Sequence, residues 1–239
     1  MQLSDFDVLT FDCYGTLIDW ESGIHTALMP LLARRSGMTT RDTALEAFAR
    51  HESAQELATP TMIYSELLAV VHARLADEWG VPATAEEDRA FGQSVPQWPA
   101  FADSAASLQY LKRFYKLVIL SNVDRESFKG SNAKLGVTFD AIFTAQDIGS
   151  YKPDARNFAH MLSRLGEQGI APGRILHTAQ SLFHDHVPAN AAGLACAWID
   201  RRHAAEGWGA TMPPPEATRT DFHFTSMADM VRAHEREVS

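Results

Sequence analysis

Cysteine is scarce in this 239-residue chain, with only Cys13 and Cys196 present. One possible pair in a chain of this length is no disulfide framework, so a packed core has to hold the fold. Cys13 reads as a small apolar packing residue. Long apolar runs are missing as well. No stretch approaches the ~20 residues that span a bilayer, so no membrane partner is expected. The opening Met1-Gln2-Leu3-Ser4-Asp5 has no basic region leading into an apolar run. No signal peptide is therefore expected, and a cytoplasmic location follows by default. Positive charge is outnumbered, with 21 Lys and Arg against 30 Asp and Glu and a net charge of -9. That balance argues against nucleic acid or an anionic membrane as partner. It leaves room for a small anionic substrate, because a pocket can be locally basic. Internal repeats and low-complexity tracts are absent, and Met212-Pro213-Pro214-Pro215 reads as a surface loop.

What remains is an ordinary globular composition, 46% hydrophobic and 21% charged, in a chain long enough for one large domain or a domain with an insert. Short apolar runs recur at Val8-Leu9-Thr10-Phe11, Leu117-Val118-Ile119-Leu120, Ala141-Ile142-Phe143-Thr144, Arg174-Ile175-Leu176-His177 and Cys196-Ala197-Trp198-Ile199. Each predicts a strand buried on both faces. Helical stripes lie between them: Leu108, Leu111 and Tyr115 on one face, Phe158, Met161, Leu162 and Leu165 on another. This alternation predicts an α/β fold, a Rossmann-like parallel sheet covered by helices. Ligands of such sheets gather at the carboxyl ends of the strands, here Asp12, Ser121-Asn122 and the stretch from His177 to Ser181.

One segment breaks the alternation. From about Gly23 to Ser94 no strand is predicted, whereas Ile24, Leu28, Leu31 and Leu32 form one helical stripe and Tyr64, Leu67, Leu68, Val71, Leu75 and Trp79 another. The chain returns near Pro96-Gln97-Trp98-Pro99, where proline discourages helix. The expected organisation is a core of 1–16 and 100–239 with a helical cap of 17–99.

Asp12 closes the first predicted strand and precedes Gly15, which permits a tight turn and close backbone approach to a ligand. An Asp that caps the next turn fits the same local pattern. Lys152 in Tyr151-Lys152-Pro153-Asp154 reads either as a site cation or as a surface ion-pair lysine. Taken singly, each position leaves both readings open.

Taken together, Asp12, Ser121-Asn122, Lys152 and the Ala179-Gln180-Ser181 to Asp185 stretch resemble the four motifs of the haloacid dehalogenase superfamily, in order and at strand ends. The resemblance covers nearly the whole chain and implies a Rossmann-like core with a cap inserted after the first motif. Asp12 is then a nucleophile. Two departures from the phosphatases of that superfamily matter. Tyr14 stands where they carry an acid-base Asp, and Ala179-Gln180 stands where they carry a Gly-Asp pair that holds magnesium. Gln is a weak ligand for so hard a cation. No metal or other cofactor is expected, and a phosphatase ranks low.

Tyr14 at that position, within Phe11-Asp12-Cys13-Tyr14-Gly15-Thr16-Leu17, resembles the 2-haloacid dehalogenase branch. That branch implies attack of Asp12 on C2 of a small carboxylic acid, an ester intermediate, and hydrolysis to a 2-hydroxy acid. Lys152 keeps the carboxylate ionised. Thr16 and Ser121 donate hydrogen bonds to Asp12 or to the substrate carboxylate, or else bond within turns. Arg50, in Phe48-Ala49-Arg50-His51-Glu52, matches the cap arginine that stabilises a leaving halide, although a solvated helix face explains it equally. Asn122 completes the halide cradle. Asp185 activates the hydrolytic water, and its neighbours His184 and His186 read as structural. Phe158, where the dehalogenases carry Tyr, and Ser181, in a fourth motif that lacks their Ser-Asn pair, belong to the substrate pocket.

Longer runs from Leu9 to Trp20, from His184 to Asn190 and from Ala204 to Thr211 resemble dehalogenase relatives that open the ring of azetidine-2-carboxylate. A nitrogen leaving group needs a proton, for which His51 and Tyr14 are the candidates. The haloacid class comes first as the broader of the two. A non-catalytic binding domain is disfavoured because Asp12 and Lys152 are both retained. The resemblance also implies a homodimer.

Overall fold

The computed structural model of the protein describes residues 1–37, 39–215 and 218–239. The described residues form a six-stranded, all-parallel sheet in the order β3-β2-β1-β4-β5-β6. The strands are β1 (Val8–Phe11), β2 (Lys116–Ser121), β3 (Ala141–Thr144), β4 (Ile175–Ala179), β5 (Ala195–Ile199) and β6 (Phe222–Phe224). β1 lies in the middle, with Val8 opposite Lys116 on one side and Ile175 on the other. A strand with neighbours on both sides and helices on both faces sees no water, which is why its sequence is a continuous apolar run. Its one polar side chain, Thr10, is matched by His177 Nδ1 at 2.9 Å.

Alternate residues of β1 enter opposite apolar layers. Val8 joins Val118, Phe158, Met161 and Leu165 on one face of the sheet. Leu9 and Phe11 join a larger layer on the other face, which continues through Leu17, Ile18 and Trp20 into the inserted helices. Both cysteines are free and fully buried, one in each layer. The chain runs from β1 outward to β2 and β3, then returns to the far side of β1 as β4. That reversal opens a crevice beyond the carboxyl ends of β1 and β4.

Between β1 and β2 the chain forms α1 (Trp20–Leu32), α2 (Arg41–Ala58), α3 (Tyr64–Trp79), α4 (Ala85–Gly92) and α5 (Ser104–Leu111). The remaining helices are α6 (Arg125–Leu135), α7 (Ala145–Ile148), α8 (Ala155–Gly166), α9 (Val187–Ala191) and α10 (Met227–Val238). The helices from α1 to α4 leave and rejoin the core at adjacent points. Ile18 bridges Ala100, and the Asp19 amide donates to Pro99 O at 2.8 Å. Thr40 caps α2 and Thr84 caps α4 with their side-chain oxygens. α3 and α4 approach closely at Gly92, where an added Cβ would stand 2.1 Å from Ser65 O. The inward face of α2 is not wholly apolar: below Leu45 and Phe48 it buries Glu52, Gln55 and Glu56. Among the described residues no helix is long and apolar enough to cross a membrane.

Candidate active site

Asp12 is the first residue beyond β1 and is buried at the crevice. Its Oδ2 accepts from Thr16 Oγ1 at 2.9 Å and its Oδ1 from Lys152 Nζ at 2.9 Å. The turn that brings Thr16 back onto Asp12 passes through Gly15 at φ 92°. Only glycine adopts that conformation readily. A Cβ there would also press on Trp20 Nε1 at 3.0 Å and Gln180 Oε1 at 3.1 Å. Thr16 Oγ1 in turn accepts from the Gln180 amide at 2.9 Å, which ties the loop after β1 to the loop after β4.

Lys152 is 1% exposed. Its ammonium donates to Asp12 Oδ1 at 2.9 Å, to Asp185 Oδ1 at 2.5 Å and to Leu120 O at 3.0 Å. Three protons meet three acceptors, so the buried charge is fully satisfied. Asn122 holds the loop that carries it: its Oδ1 accepts from Lys152 N at 2.7 Å, and its Nδ2 donates to Lys152 O at 2.9 Å. Asp185 stands on a π-type turn, Leu182–His186, whose His184 amide donates to Ser181 Oγ at 2.9 Å. His177 Nε2 lies 3.0 Å from Asp185 Oδ1, while Asp185 Oδ2 has no partner.

One ammonium faces two carboxyl groups here. Burial lifts the Asp12 carboxyl to about 6, against the pull of Lys152. Burial also pushes Asp185 upward, but Lys152 and His177 outweigh it and hold that carboxyl well below the usual carboxylate range. Desolvation opposes the Lys152 charge, yet the two carboxylates outweigh it and raise the ammonium above its ordinary value. Burial lowers His184 and His186 to about 4, so both rings are neutral at pH 7.

These groups line a partly open cavity in which the centres of water-sized molecules can occupy about 30 Å³. The sheet side contributes Asp12, Tyr14, Ser121, Asn122, Lys152, Ser181 and Asp185, together with His184 and Thr211. The helices inserted between β1 and β2 contribute Trp20, Glu52, Glu56 and Tyr64. Tyr14 bonds Ser131 Oγ at 2.9 Å, and Ser121 Oγ and His184 Nε2 have no partner. Thr16 stands behind Asp12 rather than in the wall.

With Thr16 behind Asp12, two further expected pocket residues also lie outside the wall, and those expectations are corrected. Arg50 is on the outside of α2, paired with Glu78 at 3.0 Å, its side chain 56% exposed. It precedes the inward-facing Glu52 by two residues, about 200° around a helix, and so points the opposite way. His51 is also drawn to Glu78, at 2.6 Å, and does not line the cavity. Phe158 packs in the apolar layer beneath the sheet, its ring edge-on to His177 with centroids 4.9 Å apart. It supports the partner of Asp185 and does not reach the cavity. Sequence reasoning missed Trp20, Glu52, Glu56 and Tyr64. The signal for the two acids was present: Leu45, Phe48, Glu52 and Glu56 continue one stripe of α2.

The magnesium of the superfamily's phosphatases does not fit these residues. Lys152 Nζ already bridges Asp12 and Asp185, and the Gln180 side chain, a weak ligand for a hard cation, accepts from Thr211 Oγ1 at 3.3 Å.

Comparison with known proteins agrees with the fold. The model of the haloacid dehalogenase-like hydrolase family matches residues 6–178. The (S)-2-haloacid dehalogenase 4A of Burkholderia cepacia is 29% identical over 167 residues, which span 65% of this chain and 68% of that protein. A solved defluorinating L-2-haloacid dehalogenase superposes with a TM-score of 0.77 at 21% identity, over 98% of both chains. The L-2-haloacid dehalogenase of Xanthobacter autotrophicus, solved with chloropropionic acid covalently bound, gives 0.76 at 19% identity over 98% of this chain and 100% of its own. The chain belongs to the haloacid dehalogenase-like hydrolases and is related to the L-2-haloacid dehalogenases.

Proposed function

We propose that this protein hydrolyses a bond at C2 of a small 2-substituted carboxylic acid through an ester on Asp12, without a metal, and that the bond is carbon–nitrogen, as in azetidine-2-carboxylate. A carboxylate oxygen of Asp12 attacks C2 from the side opposite the leaving group. The new C–O bond forms as the C2–leaving-group bond breaks, with its electron pair going to the leaving atom. Water then adds to the ester carbonyl carbon of Asp12. Collapse of that adduct returns the carboxylate and releases a 2-hydroxy acid. Lys152 keeps Asp12 ionised for attack, and the unpartnered Asp185 Oδ2 is the acceptor that orients the water. Ser121 Oγ, buried without a partner, is a donor for the substrate carboxylate.

The observation that carries the choice of leaving group is the wall facing Asp12. A departing halide calls for a cation, and Arg50 is outside. Among the described residues Lys152 is the only lysine or arginine in the lining, and its three protons are already engaged. The inserted helices present two carboxyl groups in its place. A carboxyl that can shed its proton suits a nitrogen leaving group, which it can hold as a cation and supply with a proton.

The test is turnover in heavy-oxygen water, with azetidine-2-carboxylate and separately with (S)-2-chloropropionate, followed by mass spectrometry of the Asp12 peptide. Azetidine-2-carboxylate is expected to turn over and, after several cycles, to leave heavy oxygen in Asp12. Turnover without label would mean direct attack by water. Turnover of chloropropionate alone would restore the halide reading.

A further inference from the structure

Glu52 and Glu56 are one helical turn apart on α2, so their side chains share a face. They are 3% and 6% exposed. Tyr64 OH, from α3, donates to Glu52 Oε1 at 2.5 Å. Asn122 Nδ2, from the loop after β2, donates to Glu56 Oε1 at 3.0 Å. Glu56 Oε2 lies 3.9 Å from His184 Nε2, which has no hydrogen-bond partner although the residue is 92% buried. The other charged or titratable groups around the pair are Lys152, Tyr151, Tyr14, Asp12 and Asp185. Lys152 is the only cation among them, and it is committed elsewhere. Among the described residues no lysine or arginine pairs with either acid, and only the field of Lys152 pulls Glu56 downward, yet both line the cavity. Two adjacent carboxyls in a dry site do not both ionise. Burial lifts Glu52 to about 8, and burial together with the Glu52 charge pushes Glu56 well above the usual carboxylate range.

The geometry points to Glu56, backed by Glu52, as the seat of a cationic substrate nitrogen and the source of the proton that nitrogen takes up when it leaves. This rests on the ring-opening reading above and names the substrate class: a small 2-carboxylic acid whose C2 substituent is a protonated amine. Glu56 gives up its proton when the substrate binds and accepts a hydrogen bond from the ring NH2 group. Glu52 keeps its proton under the Tyr64 hydroxyl. As the C2–N bond breaks, nitrogen retains the bonding pair and becomes a primary amine. That amine takes the Glu52 proton by way of Glu56 and departs as an ammonium group, leaving two carboxylates that hold it until release and regain protons from water. The Asn122 amide holds Glu56 in place.

The experiment uses the full-length Asp12→Asn variant, which cannot form the ester. It is titrated calorimetrically at pH 7 with azetidine-2-carboxylate and with cyclobutanecarboxylate, an uncharged ring of the same shape, in two buffers of different ionisation enthalpy. Azetidine-2-carboxylate is expected to bind about 10- to 100-fold more tightly, the worth of one or two hydrogen bonds to a charged group, with release of about one proton. Adding Glu56→Gln removes both the preference and the proton release. Equal affinity for the two rings, or proton release that survives Glu56→Gln, overturns the assignment. A second measurement keeps Asp12. Glu56→Gln alone lowers kcat/KM for azetidine-2-carboxylate at least about 10-fold, while residual turnover still labels Asp12. A wild-type rate with label in Asp12 refutes the role of Glu56 and leaves the ring-opening reading standing. Unlabelled Asp12 in the wild-type protein refutes that reading itself.

Discussion

Asp12 and Glu52 titrate on opposite sides of neutrality, and in the proposed reaction each sets one limb of the pH dependence. There Asp12 attacks only as a carboxylate. Burial raises it to about 6, so kcat/KM for azetidine-2-carboxylate falls as the pH drops through that value. Glu52 serves only while protonated. Burial raises it to about 8, so activity also falls as the pH climbs past that value. The expected profile is a bell, and Glu52→Gln removes its alkaline limb while leaving the acid one. A rate profile from pH 4.5 to 9.5 checks this, and an alkaline limb unchanged in the variant would place that titration elsewhere. At this scale the sheet side of the site was legible in the sequence. Asp12, Ser121, Asn122, Lys152, Ser181 and Asp185 follow strand ends or motifs, and the structure gathers all of them around one cavity. The facing wall was not legible. A charged residue on a helix reads as solvated unless its register is followed, and that default favoured Arg50 over its inward neighbours Glu52 and Glu56.

Elements assemble here by close approach, most tightly where α4 meets α3. A methyl group at Gly92 would stand 2.1 Å from Ser65 O, a backbone atom that has no rotamer to escape into. Gly92→Ala is expected to force the two helices apart, at a cost of about 1–3 kcal/mol and a melting temperature lower by about 2–12 °C. Thermal unfolding checks it, and unchanged melting would show that α4 shifts freely. The five strands expected from apolar runs are present, because two-sided burial writes itself into composition. β4 starts one residue later than expected, since Arg174 closes a 3-10 turn, and it extends to Ala179 through residues whose strand character comes from pairing with β1 and β5. β6 went unread for a similar reason: Phe222–Phe224 is too short to carry a period, and its order comes from β5. The π-type turn at Leu182–His186 has no marker in helical spacing either, yet it aims Asp185 at Lys152.

The molecule as a whole bears the energetic consequence of burying acids. Glu52 has a folded pKa of about 8 against an ordinary 4.5, so the native state holds a proton that the unfolded chain has released. Its contribution to stability is full below pH 4.5 and is lost as the pH rises to about 8, by at most ~1.4 kcal/mol per pH unit. Glutamine keeps the Tyr64 hydrogen bond and cannot ionise. The melting temperature of Glu52→Gln, relative to wild type, is therefore expected to be several degrees higher at pH 7.5 than at pH 5. The same offset at both pH values would mean that Glu52 ionises in the fold without penalty. The two thiols bear on another exposure of the whole molecule. Strained rings and 2-haloacids are alkylating agents, and a thiolate is the group they modify fastest. Cys13 and Cys196 are sealed from solvent, and burial pushes Cys13 well above 9 and Cys196 to about 12. In the proposed reaction at electrophilic carbon, the protein thus offers its substrate no thiolate, and such a reagent reaches Asp12 without first modifying sulfur.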